Sequence, residues 1–133
     1  MKQIIVKKVL LILYLAAPHA AAWYDARTTV QGWTVPGVHE TNPASGCTLG
    51  AAACYLGTQI DVSIGQALYF AGRHRDSRLD RAMVVTGLAI TGAATASHIV
   101  AAEHNEDLYD QAMRKIAMHK PHQAGPPIEI RPH

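Results

Sequence analysis

From Ala82 to Ala102 the chain runs for 21 residues without one formal charge. As a helix this stretch is about 31 Å long, close to the roughly 30 Å of a bilayer's hydrocarbon core. Only Thr86, Thr91, Thr95, Ser97 and His98 interrupt it with polar side chains. The other end of the chain is nearly as bare. Between Val9 and Phe70 the formal charges are Asp25, Arg27, Glu40 and Asp61. Charged residues make up 17% of the 133 residues, against roughly 25% in soluble domains. That pattern excludes a disordered chain, a coiled coil and a disulfide scaffold. A net charge of only +2 argues against nucleic acid as a partner. It points instead to lipid, although the mean hydropathy of +0.02 is low for a protein that crosses a membrane several times.

The amino terminus has two readings. Lys2, Lys7 and Lys8 precede the apolar run VLLILYLAA at 9–17, and Ala20-x-Ala22 follows. A basic start, a short apolar middle and small residues at a cleavage position describe a secretory signal. Residues 4–24 also suffice for a membrane-spanning helix. Trp23 and Tyr24 would then lie at the interface, where aromatic side chains gather. The helical pattern continues into Asp25–Thr29, which favours retention over cleavage. Pro18 would bend such a helix, a defect neighbouring helices can accommodate in lipid.

Val35-Pro36-Gly37 and Asn42-Pro43 mark residues 32–43 as a loop. Residues 44–71, rich in Gly and Ala, are expected to form a long helix. Gly46 and Gly50 stand at Gly-x-x-x-Gly spacing, and Gly57 and Gly65 extend a small-residue face suited to close helix packing. Gln59, Asp61 and Gln66 make this an imperfect span, because an intramembrane Asp costs about 2.5–3.5 kcal/mol unless it faces protein or water. Cys47, Cys54 and Asp61 recur every seven residues and would share a face. Seven residues of helix rise about 10.5 Å, beyond the roughly 7 Å reach of a disulfide. The two cysteines are therefore expected as small packing residues. Asp61 is expected deep in the bundle interior.

Residues 73–81, RHRDSRLDR, connect the second apolar segment to the third. The positive-inside rule places Lys2, Lys7 and Lys8 on the cytoplasmic side together with the four arginines of this connection. Three crossings satisfy both, with loop 32–43 outside. The expected fold is all-α: a three-helix transmembrane domain over 1–105, a short amphipathic helix over 106–120 and a disordered tail over 121–133. His119-x-x-His122 would fall in that tail as a weak metal-binding pair.

Counting residues from the segment ends brings polar groups to one level at the outer face. Asp25, Thr28 and Thr29 close the first segment, and His39, Glu40 and Asn42 lie in the loop. His98 lies near the end of the third segment, where Thr91, Thr95 and His98 share a face that should look inward. Such a cluster has three readings: a structural network that caps helices and binds loop amides, a divalent metal site built on Asp25, Glu40 and His98, or an ion or proton path with Asp61 as its deeper relay.

Asp25-x-x-Thr28-Thr29 followed by Glu40-x-Asn42-Pro43 resembles an uncharacterised family of small bacterial and phage membrane proteins, over roughly residues 10–105. The resemblance implies a helix end, an ordered loop and two further apolar segments, and it carries no activity. The chain departs from that pattern after Pro43, where Ala44-Ser45-Gly46 stand in place of a leucine.

The sequence is thus read as a small non-enzymatic component of the bacterial inner membrane. Its outer-face cluster would bind a partner or ion or organise the loop, and no cofactor is implied. Small-residue faces could support a homo-oligomer or another membrane protein. The rivals are a holin-like pore-forming lysis protein, an exported soluble helical protein cleaved near Ala22, and a membrane metalloenzyme.

Overall fold

The computed structural model describes residues 2–36, 47–74 and 77–119, and every regular element among them is helical. Helix α1 spans Lys2–Gly32 and is not interrupted at Pro18. A 3-10 turn, Cys47–Leu49, leads into the short helix α2, Ala51–Gly57. Helix α3 follows at Ile60–Gly72, and α4 runs over Arg78–His119. Of these, α1 and α4 are long and apolar enough to cross a membrane.

Contacts along the chain fix the directions. Tyr14 meets Thr91, Asp25 meets His98 and Thr29 meets Asn105, so α1 and α4 run parallel. The segment between them runs the other way: Gln66 reaches Tyr14, Val62 packs with Ala22, and Cys54 packs with Ala26. The basic residues meet at one end, where Lys7 and Arg73 line a common groove near the start of α4. At the other end Glu103, Glu106, Asp107 and Asp110 follow the uncharged part of α4.

Three expectations change. Residues 47–72 do not form one long helix, because Thr58 and Gln59 interrupt it. Gln59 enters α3 without a side-chain cap, and the Thr58 hydroxyl turns back to the carbonyls of Cys54 and Tyr55. With 13 residues, α3 is about 20 Å long, too short to cross alone. Nor is there a separate amphipathic helix at 106–120, since α4 carries on unbroken to His119 with one inward stripe. Gly87, Thr91, Ala94, His98 and Ala102 are buried along it, and Asn105, Tyr109 and Ala112 continue it half-buried. That regular spacing holds the outer part on the same face as the apolar part, so nothing ends the helix at residue 105.

The third change concerns the cysteines, for Cys47 and Cys54 are joined as a disulfide. The seven-residue rise applies only within one helix, and here Gly50, at φ 119°, turns the chain between the two. A positive φ is open to glycine without steric penalty, so Gly50 serves a turn rather than a helix-packing face. The disulfide packs with Ala26 beneath Val30, Trp33 and Tyr55.

Small residues do set the packing, but between α3 and α4. A Cβ on Gly65 would collide with the Thr91 backbone, and one on Gly87 with the Gly65 carbonyl and the Tyr69 backbone. The helices cross with backbones in contact, the arrangement small residues permit. The charged connection ends in a capping box: the Asp80 amide donates to Ser77 Oγ at 3.1 Å, and Asp80 Oδ2 accepts from the Ser77 amide at 3.1 Å and from its hydroxyl. Large apolar side chains point away from the bundle, with Ile12 61%, Val85 66% and Val100 65% exposed.

Candidate functional site

His98 stands on the inward stripe of α4, buried between α1 and α3. Its Nδ1 lies 2.7 Å from Asp25 Oδ2, and its Nε2 lies 3.3 Å from Asp61 Oδ1. One imidazole thereby bridges carboxylates on two other helices. Carboxylate oxygens only accept, so both contacts are hydrogen bonds when the ring holds both protons. Asp25 is nearly enclosed, whereas the Asp61 side chain is 49% exposed. Asp61 Oδ1 also accepts from the Val62 amide at 2.7 Å, in the first turn of α3. There the helix's own amide dipoles favour a negative charge.

Two turns further along α4 an amide joins the network. The Asn105 amide donates to Thr29 Oγ1 at 2.9 Å and lies 3.5 Å from both Asp25 Oδ1 and Thr28 Oγ1. The Thr28 hydroxyl donates back to the Asp25 carbonyl at 2.9 Å. Asp25 and His98, which depth counting puts at one level, are bonded directly, and Thr28 and Thr29 join them through Asn105. Asp61 joins them there instead of lying deeper, because the break at Thr58–Gln59 begins a new helix just before it. Its carboxylate is half open to the surroundings, not sealed in the interior. His39, Glu40 and Asn42 lie outside the described residues, as does the loop that holds them. Among the described residues no group of three His, Cys, Asp or Glu side chains could hold a metal ion. In the metal set proposed from sequence, Asp25 and His98 are bonded directly to each other.

A second polar group lies nearer the middle of the uncharged zone. Pro18 has no N–H, so the Tyr14 carbonyl loses its partner within α1. The Gln66 amide supplies the missing donor, lying 3.0 Å from the Tyr14 oxygen and 3.1 Å from that of Leu15. Gln66 Oε1 in turn pairs with His19 Nε2 at 3.1 Å, and Gln59 Oε1 stands against His19 Nδ1. The Tyr14 hydroxyl pairs with Thr91 Oγ1 at 3.2 Å, and Thr95 donates to the Thr91 carbonyl within α4. Thr91 and His98 do face inward, while Thr95 is only half-buried.

Sequence reasoning did not include Asn105, His19, Gln59 or Gln66 in any site. A signal existed for each. Asn105 follows His98 by seven residues, two helical turns on the same face. Gln59 and Gln66 are polar residues in an apolar segment, and Pro18 guarantees an orphaned carbonyl in any helix that contains it.

No protein-family model, curated protein or solved structure matches the chain. The resemblance to small bacterial and phage membrane proteins rests on its two short motifs alone, and the second lies outside the described residues.

Proposed function

We propose that the chain is a non-enzymatic integral membrane protein that crosses three times, with α2 and α3 together making the middle crossing. Its amino terminus is cytoplasmic, and its outer-boundary network locks the crossings together while presenting Asp61 to an ion or partner outside. The observation that carries this reading is His98, held between the carboxylates of Asp25 and Asp61. One side chain at the edge of the uncharged zone thereby ties α1, α3 and α4. An ionisable pair in such a place is a functional candidate by default, and Asp61 keeps an open side.

Three further features support it. Apolar side chains of α1 and α4 face outward, where lipid would favour them. Lys7, Lys8, Arg73, Arg78 and Arg81 gather at one end, as cytoplasmic flanks do. The Cys47–Cys54 disulfide sits at the opposite end, and disulfides persist on the oxidising side of a membrane. The exported soluble reading fits the bundle less well. Cleavage near Ala22 would remove Ala22 from the core it forms with Val62 and Ala94, and would strip Gln66 of Tyr14, Leu15 and His19. The bacterial inner membrane as location rests on the motif resemblance.

Carbonate extraction with amino-terminal sequencing tests the reading. The full chain should stay in the membrane pellet with Met1 or Lys2 at its start. A mature end at Trp23 in a soluble fraction would overturn it. Thiol labelling of intact cells should mark Cys47 and Cys54 only after reduction. Ion binding is tested by the thermal shift of the purified protein with sodium, potassium, magnesium or calcium, compared with Asp61→Asn. Lysis on induction would favour the pore-forming alternative.

A further inference from the structure

At the basic end, between α1, α3 and α4, lies an open groove of about 570 Å³. Its polar rim is Lys7 from α1 and Arg73 from the end of α3. Leu10, Leu11 and Leu88 line it with apolar surface, together with the Tyr14 and Tyr69 rings, which stand 4.8 Å apart between centroids. Neither cation has a carboxylate within ion-pair distance among the described residues; Arg73 only lies over the Phe70 ring, 5.1 Å from its centroid. Two exposed positive charges therefore stand above a leucine-sided channel, just where the uncharged zone of α1 begins.

We infer that this groove binds one anionic phospholipid, its phosphate between Lys7 and Arg73 and the upper part of an acyl chain along Leu10 and Leu88. The inference rests on the three-crossing reading, which puts the basic end at the cytoplasmic leaflet. The chemistry matches on both counts. Phosphate oxygens accept from an ammonium and a guanidinium, the latter with a forked donor suited to phosphate. The acyl chain covers leucine surface that a soluble phosphate would leave bare. Basic pockets between membrane helices on the cytoplasmic side take anionic headgroups for the same reason. Each cation near such a surface contributes about a fivefold preference, so the pair should favour an anionic over a zwitterionic lipid about twenty- to thirtyfold.

The test is native mass spectrometry of the full chain in detergent, with equal amounts of dioleoyl phosphatidylglycerol and dioleoyl phosphatidylcholine. The expected result is preferential retention of one phosphatidylglycerol. The preference should vanish in the Lys7→Gln/Arg73→Gln double variant and persist in Lys8→Gln, which removes a neighbouring charge outside the groove. Equal retention of both lipids by the unaltered chain, or an undiminished preference in the double variant, would overturn the inference. So would displacement by millimolar glycerol 3-phosphate, which would reassign the groove to a soluble phosphate. Carbonate extraction of the membranes before they are solubilised separates this failure from failure of the topology. A chain that stays in the pellet but shows no lipid preference loses only the groove. One that is extracted as soluble protein loses both.

Discussion

Two polar clusters tie α1 to α3 and use different chemistry, and one of them also reaches α4. The outer one, Asp25–His98–Asp61 with Asn105, joins ionisable side chains to each other. The inner one, Gln66 with His19, Gln59 and the Tyr14 and Leu15 carbonyls, repairs a backbone that Pro18 leaves open. Their depths explain the difference. In the middle of the uncharged zone a carboxylate would lose its hydration with nothing equivalent in return. A neutral amide can meet an orphaned carbonyl there at modest cost. At the edge, where Asp61 is half open, an ion keeps part of its water and a bridging histidine can serve two of them.

The comparison can be broken most completely at the crossing both clusters depend on. A side chain at Gly87 meets the Gly65 carbonyl and the Tyr69 backbone, which cannot rotate away. Gly87→Leu should push α3 from α4 and disperse both clusters. The expected result is loss of a monodisperse species in size-exclusion chromatography.

Removing the outer bridge should come next. His98→Ala leaves the nearly enclosed Asp25 carboxylate without its imidazole partner, and losing a hydrogen bond to a charged group costs about 1.5–3 kcal/mol. Unfolding in mixed micelles of rising dodecyl sulfate content should show it. A cost below about 1 kcal/mol would mean that Asn105 and water suffice for Asp25.

The inner cluster should respond less. Gln66→Leu strands the Tyr14 carbonyl, for about 1–2 kcal/mol in the same assay. Pro18→Ala supplies an N–H at position 18 and should recover most of that loss in the double variant. Additive effects of the two substitutions would show that Gln66 does not act through the proline defect. The smallest change should come from Asp61→Asn. Its side chain is half exposed and its pairing screened, so the stability cost should stay under about 1 kcal/mol, while any ion-dependent thermal shift should vanish.

Much of the outer cluster was legible in the sequence, because a helix rises by a fixed amount per residue. Counting from the ends of the uncharged stretches brings Asp25, Thr28, Thr29 and His98 to one height. The same counting failed for Asp61, which was placed as though residues 44–71 were a continuous helix. No proline marks the break at Thr58–Gln59; Gly57 and the Thr58 hydroxyl end α2 there, a local competition that propensity reads poorly. The disulfide was missed for the same reason, since the helical rise between Cys47 and Cys54 holds only if Gly50 is helical. The end of α4 was misjudged in the opposite sense. A change from apolar to acidic composition at residue 103 looked like a boundary, yet the inward stripe through Ala102, Asn105 and Tyr109 keeps its phase. Composition reports the medium around a helix, whereas phase reports whether the helix continues.

That continuity has a mechanical side. With 42 residues and no proline, α4 is a rod about 63 Å long, reaching well past the end of α1. Its acidic arm and its apolar shaft share one backbone ladder and must pivot together. The glycine crossing at Gly65 and Gly87 is the natural fulcrum. A load hung on the arm would arrive as torque at the arginines on the other side.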